Sequence, residues 1–234
     1  MKKISVFFAA AIAALSASVA SCDSVKKAKL STDVDSASYA IGVVNGFGFK
    51  ANLETLPGEP VNIKALLAGM ATGLYGDSAA LQMSVDEAQN FIQAYITNVQ
   101  TKESEATKAE GVKFLEENKT KSGVITTESG LQYQVITEGT GEKPLATDQV
   151  KVHYTGTLLD GTVFDTSIGG EPAVFGVSQV IPGWTEGLQI MPTGSKYILW
   201  IPSELAYGDR GASRDIKPNS MLKFEVELLE IVKP

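Results

Sequence analysis

The chain has 234 residues, with 20 Lys or Arg, 27 Asp or Glu and a formal net charge of -7 at pH 7. This acidic balance, with Arg210 and Arg214 as the only arginines, argues against a nucleic-acid partner, which would need clustered basic side chains. A single histidine (His153) and a single cysteine (Cys22) exclude paired-histidine metal motifs, cysteine zinc clusters and an intramolecular disulfide, so we expect no metal and no cofactor.

The first 21 residues have the pattern of a bacterial secretion signal. Two lysines precede an uncharged, mostly apolar stretch that runs from residue 4 to residue 21. The segment Val19-Ala20-Ser21-Cys22 resembles a bacterial lipobox, in which the cysteine becomes the lipidated first residue of the mature chain. We therefore predict a lipoprotein signal peptide over residues 1–21 and lipidation of Cys22. The alternatives are a cleaved soluble periplasmic protein and an uncleaved membrane anchor.

The next segment changes from polar to helical in character. Residues 22–37 are mostly polar and predict a flexible tether. From Ser38 the apolar residues follow helical spacing, and Gly42 and Gly46 leave a face that another helix can approach closely. A second helix is predicted after Asn62, whose side chain is a suitable N-cap.

The third predicted helix begins with a capping box, in which Ser84 caps the helix and Glu87 follows three residues later. Its first half has an apolar face, whereas residues 101–119 are mostly polar and contain no proline. A polar helix of that length is typical of a segment that crosses solvent between domains. We predict a helical dimerisation domain and long linker helix over residues 38–121. Since about 60 residues make only a small core, a homodimer through residues 38–100 is expected.

After Gly123 the sequence changes to short segments in which apolar and polar residues alternate. Val150, Val152 and Tyr154 alternate with polar residues, and residues 222–228 repeat the pattern. A period of two predicts half-buried strands of an antiparallel sheet. Both tryptophans and seven of the nine prolines lie in residues 122–234, so a binding site is expected there.

Four motifs in this part occur in the order and rough spacing of the FKBP-type peptidyl-prolyl isomerases. They are Val152-His153-Tyr154-Thr155-Gly156, Asp160-Gly161-Thr162-Val163-Phe164-Asp165, Val180-Ile181-Pro182-Gly183-Trp184 and Leu205-Ala206-Tyr207-Gly208. The run from Pro218 to Leu228 resembles the last strand of that family. With its helical part included, the chain resembles the macrophage infectivity potentiator (Mip)-like subgroup of secreted, dimeric lipoproteins. The resemblance implies an α+β fold, in which residues 122–234 form a twisted antiparallel sheet wrapped around a short helix.

The resemblance also implies an activity and a site. The activity is peptidyl-prolyl cis-trans isomerisation of proline-containing polypeptides during the folding of exported proteins. The place is the bacterial cell envelope, where lipidated Cys22 would hold the protein at the outer membrane, facing the periplasm. Exposure at the cell surface is the alternative. The catalytic residues carried over by the motifs are Tyr154, Phe164, Asp165 and Tyr207. The substrate-binding residues carried over are Phe175, Val180, Ile181, Trp184, Ile216 and Phe224.

Several roles follow from the same resemblance. Trp184 would form the floor beneath the proline ring, and the Ile181 N–H would bind a substrate carbonyl. Asp165 would either polarise the twisted amide or hold Tyr154 in place. Macrolide inhibitors are a further ligand class that the resemblance implies, although Gly169 and Ala173 depart from residues common in the family. The alternative function is a holdase chaperone or proline-peptide binding module with little catalysis.

Overall fold

The structure, a computed structural model, describes residues 28–76, 78–213 and 215–232. The predicted signal peptide, Cys22 and the first residues of the tether lie outside that part of the chain. The chain divides into two compact units, with the boundary between Asn90 and Phe91. No helix among the described residues combines the length and the hydropathy needed to cross a membrane.

The first helix, α1, spans Asp33–Leu53 and therefore begins earlier than the predicted start at Ser38. Thr32 is its N-cap. The Asp35 N–H donates to Thr32 Oγ1 at 3.1 Å, and the Thr32 N–H donates to the Asp35 carboxylate at 2.9 Å. This reciprocal capping box satisfies backbone donors that a helix start leaves unpaired, so residues 33–37 belong to the helix and not to the tether.

Helix α2 spans Ile63–Tyr75 and helix α3 spans Val85–Asn118. Both predicted N-terminal signals are confirmed. The Asn62 side chain accepts a backbone hydrogen bond at 3.1 Å, and Ser84 and Glu87 form a reciprocal capping box at 2.8 and 3.2 Å. The 34 residues of α3 make it one continuous helix across the boundary between the two units.

The second half of α3 packs against the sheet, which differs from the predicted solvent-crossing linker. Gly111 and Asn118 are the buried residues of the helix. Asn118 Nδ2 donates to Gln132 Oε1 at 3.0 Å, and Gln132 Nε2 donates to the Leu115 carbonyl at 2.8 Å. These contacts cross the predicted domain boundary at residue 121. The division into compact units falls earlier, at Phe91 inside the helix. The predicted boundary at residue 121 stays a prediction.

The sheet of the C-terminal unit is antiparallel throughout its seven strands in the described residues. The strand order is β1-β2-β6-β7-β3-β4, and β5 pairs with β3. The strands are β1 (Val124–Thr126), β2 (Gln132–Thr137), β3 (Gln149–Thr157), β4 (Val163–Thr166), β5 (Ala173–Gly176), β6 (Lys196–Ile201) and β7 (Leu222–Val232).

The predicted alternation along two of these strands is confirmed. Val150, Val152 and Tyr154 are buried on β3. On β7 the buried positions are again every second residue, from Leu222 to Leu228. Because alternate side chains of a strand point to opposite faces, both strands present their apolar residues to one core.

A short helix, α4, spans Pro182–Ile190 and packs on the apolar face of the sheet. The proline at its first position lacks an N–H, a donor that would be unpaired there in any case. Gly187 allows a close approach, because a Cβ at this position would lie 2.7 Å from Leu199 Cδ1. Trp184 and Leu188 of α4 join the buried core. The predicted sheet wrapped around a short helix is confirmed.

Candidate functional site

Five aromatic side chains from five different elements meet between the sheet and α4. The Trp184 ring makes edge-to-face contacts with Tyr154, Phe175 and Phe224, at centroid distances of 5.2, 5.6 and 5.2 Å. Phe164 on β4 makes an edge-to-face contact with Phe224, at a centroid distance of 5.4 Å. Edge-to-face contacts fix the orientation of each ring as well as its position. The structure thus brings the predicted aromatic residues into one cluster, called the aromatic cluster below.

The base of the aromatic cluster is apolar. The Trp184 side chain is 4% exposed, and its indole Nε1 is buried with no hydrogen-bond partner among the described residues. Phe224 is also buried, whereas Phe164 and Phe175 are half-buried. The cluster therefore opens to solvent along Phe164 and Phe175 while Trp184 lies at its base.

Gly156 is a structural requirement of the cluster that is not among the predicted site residues. A Cβ at this position would lie 2.6 Å from Phe164 Cζ and 2.8 Å from Phe224 Cε1. Both distances are too short for any side chain, so only glycine lets the two rings approach β3. The signal was present, since Gly156 ends the first family motif.

The polar part of the site is formed by Tyr154 and Asp165. The Tyr154 hydroxyl donates to the Asp165 carboxylate at 2.6 Å. β3 and β4 pair Gly156 with Asp165, which places the carboxylate beside the ring. Burial, together with this hydrogen bond, raises the pKa of Tyr154 far above its ordinary value. The phenol therefore stays protonated and keeps donating to Asp165, whose own side chain is exposed at the rim.

Two further donors of the predicted site have no acceptor among the described residues. The Ile181 N–H, just before α4, makes no hydrogen bond within that part of the chain, and neither does the Tyr207 hydroxyl. Tyr207 is 40% exposed. Its electrostatic interaction contributes to the raised pKa of Tyr154, which places the two phenols near each other. Val180, next to Ile181, is half-buried and packs on the core.

Ile216 lies in the loop where the sequence places it, but its side chain is buried with the core. It is 6% exposed and forms an isolated antiparallel bridge with Ala212, with hydrogen bonds of 2.9 and 3.1 Å. This bridge fixes the backbone of Ile216 against that of Ala212. A direct contact between Ile216 and substrate stays a prediction.

A second cleft, of about 430 Å³, lies on the opposite face of the sheet. It is lined by the end of α3 and by residues such as Trp200 and Lys223, and it includes none of the predicted site residues. Lys223 and Phe224 are neighbours on β7 and therefore point to opposite faces. The cleft and the aromatic cluster are thus separated by the sheet.

Comparisons with known proteins bear on this site and fold. A family model described as FKBP-type peptidyl-prolyl cis-trans isomerase matches residues 140–229. A second, described as the domain amino terminal to FKBP-type peptidyl-prolyl isomerase, matches residues 34–135. The chain is 52% identical over 199 residues to the FKBP-type 22 kDa peptidyl-prolyl cis-trans isomerase of Escherichia coli K12, covering 84% of this chain and 94% of that protein.

Two further comparisons extend along most of the chain. The outer membrane protein MIP of Legionella longbeachae is 42% identical over 228 residues, which cover 94% of each protein. The crystal structure of FkpA from Escherichia coli matches with a TM-score of 0.70 at 37% identity, and the match covers 87% of this chain and 98% of that chain.

A sheet around a short helix, an aromatic cluster between them and a helical N-terminal part together define a two-unit proline isomerase. The chain belongs to the FKBP-type peptidyl-prolyl cis-trans isomerase family, within its Mip-like subgroup. The predicted family, fold class and enzyme class are therefore confirmed.

Proposed function

We propose that the protein accelerates cis-trans isomerisation of X-Pro bonds in exported polypeptides, with the aromatic cluster as its proline pocket. The observation that carries this proposal is the convergence of five rings from five elements beside donors that have no internal acceptor. Tyr207 is exposed, so water pairs its hydroxyl in the free protein and a substrate carbonyl can take the place of that water.

The chemistry needs only a pocket that binds the twisted amide. The barrier to rotation about a peptide bond is ~18–20 kcal/mol, and an X-Pro bond takes tens of seconds or longer to isomerise unaided. Rotation removes the amide resonance, and that loss is smaller where the carbonyl has left water for an apolar surface. A site that favours the twisted form over both planar forms lowers the barrier. Trp184, at the base of the cluster, would support the proline ring.

The polar groups would then hold the chain on either side of the proline. The Ile181 N–H and the Tyr207 hydroxyl would each donate to a substrate carbonyl, while Phe175 and Val180 would line the wall of the pocket. The Asp165 carboxylate would fix the Tyr154 ring through their 2.6 Å hydrogen bond. Proline-containing polypeptides are the substrate class that fits this arrangement, and macrolide inhibitors would compete for the same pocket.

An isomerisation assay on the whole chain tests this proposal. Acceleration of cis-trans exchange in a proline tetrapeptide, and of a proline-limited refolding reaction, is the expected result. The alternative, a holdase with little catalysis, would suppress aggregation of an unfolded client without changing the exchange rate of the tetrapeptide. That outcome would contradict the proposed role of the pocket.

We further propose that residues 38–100 form a homodimer. None of the residues of α1 or α2 is buried. On α1 the apolar side chains of Ile41, Val44 and Phe47 are 64%, 72% and 74% exposed and follow helical spacing. A contiguous apolar face of this kind is unfavourable in water and marks an interaction surface. A second copy of the chain is the partner that the Mip-like resemblance favours.

The dimer can be tested by mass. Light scattering on protein without lipid should give about twice the mass of one chain, and Phe47→Glu should lower it, because a charge would be buried in the interface. Ser38→Glu, at an exposed polar position about 120° around the same helix from Val44, is the matched control and should leave the mass unchanged. A wild-type protein that is monomeric at micromolar concentration would refute the dimer.

Lipidation of Cys22 is the remaining proposal, and it places the protein at the cell envelope, on the outer membrane facing the periplasm. The lipobox-like segment supports it, as does the relative named outer membrane protein MIP. Since acyl chains give the membrane affinity, Cys22→Ala should move the protein from the detergent phase to the aqueous phase on phase partition. A wild type already found in the aqueous phase would contradict lipidation.

A further inference from the structure

One face of α3 contacts the two segments that flank Tyr207. Ser104, Lys108 and Gly111 are four and three residues apart and therefore share this face. Lys108 Nζ pairs with the Glu204 carboxylate at 2.8 Å, and Ser104 Oγ accepts a hydrogen bond from Asn219 Nδ2 at 2.7 Å.

A glycine permits the close approach of the helix at this point. A Cβ at Gly111 would lie 3.0 Å from the Met221 Cβ, so a larger residue would require a small shift of Met221. Met221 is 3% exposed, and the contact lies two residues after Asn219. Three successive positions of one helical face therefore contact the same part of the isomerase unit.

The contacted segments lead directly to Tyr207. Glu204 belongs to the short 3₁₀ turn Ser203–Leu205, which precedes Tyr207 by two residues. On the other side, the Asn219 N–H donates to the Gly208 carbonyl at 2.8 Å, and Gly208 follows Tyr207 in the chain. Asn219 itself has a left-handed backbone, with a φ of 61°, which fixes the turn that faces Ser104.

The turn around Tyr207 is restrained on its N-terminal side, where Leu205 and Ala206 pack on the core, whereas Tyr207 itself is exposed. Tyr207 is 40% exposed, and its hydroxyl has no partner among the described residues. Gly208 and Gly211 have φ values of 59° and 65°. The backbone that follows Tyr207 therefore adopts left-handed conformations that favour glycine. Exposed turns with few buried contacts open at low free-energy cost. The contacts of α3 with Glu204 and Asn219 therefore add to the core packing in setting where the phenol lies.

We infer that Ser104 and Lys108 of α3 are positioning residues for the isomerase reaction, acting through Asn219 and Glu204 on the turn that presents Tyr207. This inference rests on the proposed contact of Tyr207 with substrate. The hydrogen bond from Lys108 holds the pKa of Glu204 below its ordinary value, so the pair remains charged at neutral pH. Since exposed ion pairs contribute little to stability, the pair should affect activity more than unfolding.

The test measures tetrapeptide isomerisation in the full chain. Ser104→Ala and Lys108→Ala should each lower kcat/KM by about two- to tenfold, the effect of losing one hydrogen bond that orients a contact group. The melting temperature should change by no more than about 2 °C. Lys113→Ala, at an exposed position of the same helix, is the matched control and should retain full activity.

Two further arms separate positioning from general support. In a Tyr207→Phe background, Ser104→Ala and Lys108→Ala should cause no additional loss, because residues that act through one group are not additive. Exchanging the charges, with Lys108→Glu and Glu204→Lys together, should restore activity relative to Lys108→Glu alone. High salt should narrow the difference between wild type and Lys108→Ala, because this pair is exposed.

The failure of the inference and the failure of the proposed site give different results. Wild-type activity in both Ser104→Ala and Lys108→Ala, with a slow Tyr207→Phe variant, would overturn the positioning inference alone. The same fold-loss in the Tyr207→Phe background as in wild type would also overturn it. Full activity of Tyr207→Phe itself would overturn the proposed role of Tyr207 and this inference with it.

Discussion

Replacement of Asp165 by alanine is expected to lower kcat/KM for a proline tetrapeptide by about ten- to a hundredfold, equivalent to a lost hydrogen bond of roughly 1–3 kcal/mol. The reason is the 2.6 Å hydrogen bond from the Tyr154 hydroxyl. Without that acceptor, the ring that contacts Trp184 and Phe175 loses its fixed orientation. Tyr207→Phe should lower kcat/KM by a similar factor, because it removes a donor proposed to bind a substrate carbonyl.

Two substitutions distinguish the two roles that remained open for Asp165. If it holds Tyr154, Asp165→Asn should retain most of the activity, because an amide oxygen still accepts the hydrogen bond. Asp165→Ala should then cause little further loss of activity in a Tyr154→Phe background. We expect this pattern, since Asp165 is exposed and water screens its charge from the twisted amide. If the charge itself matters, Asp165→Asn should be as slow as Asp165→Ala.

The control for these variants is another exposed aspartate nearby. The Asp160 carboxylate accepts a hydrogen bond from the Thr162 N–H at 2.9 Å, in the turn between β3 and β4. Asp160→Ala should retain wild-type activity, because this carboxylate has no contact with the aromatic cluster. Wild-type activity in both Asp165→Ala and Tyr207→Phe would refute the assignment of the site.

The parts of the fold that sequence could predict are those in which the signal is local. Ser84 and Glu87 form the capping box that their spacing indicates, because both partners lie within one turn. Val152 and Tyr154 point inward because a strand has a period of two. Thr32 and Asp35 carry the same kind of local signal at the start of α1. Apolar spacing alone predicts a later start, at Ser38, because the first turn of α1 is mostly polar.

The contacts that sequence could not predict are those made by polar or small residues. The face of α3 that packs on the isomerase unit carries Ser104, Lys108, Gly111 and Asn118, so hydropathy reads it as a solvated helix. Its partners are more than ten residues away in sequence and become neighbours only when the sheet forms. The same holds for Gly156. This position must be glycine because rings from two other strands lie too close for a Cβ.

The second large effect concerns this docked half of α3. A chain of residues 122–234 should unfold at a temperature about 10 °C or more below that of residues 91–234, which begin at the boundary between the two units. Without the helix, Met221, which is 3% exposed and contacts Gly111, loses its cover, and the cleft that Trp200 lines loses the wall formed by Phe114 and Asn118. Exposing one or two large apolar side chains costs roughly 2–4 kcal/mol. Gln132 also loses its bonds to Asn118 and Leu115.

Point variants in the full chain separate the helix contacts from chain length. Asn118→Ala leaves the buried Gln132 amide without one partner, which should cost about 1–3 kcal/mol of unfolding free energy. Glu117→Ala, one residue earlier and exposed, is the matched control and should be close to neutral. Thermal and urea unfolding measure the stability of both variants. If residues 122–234 unfolded at the same temperature as residues 91–234, and Asn118→Ala matched wild type, α3 would be only a connector. The isomerase unit would then begin at residue 122, as the change in sequence pattern predicts.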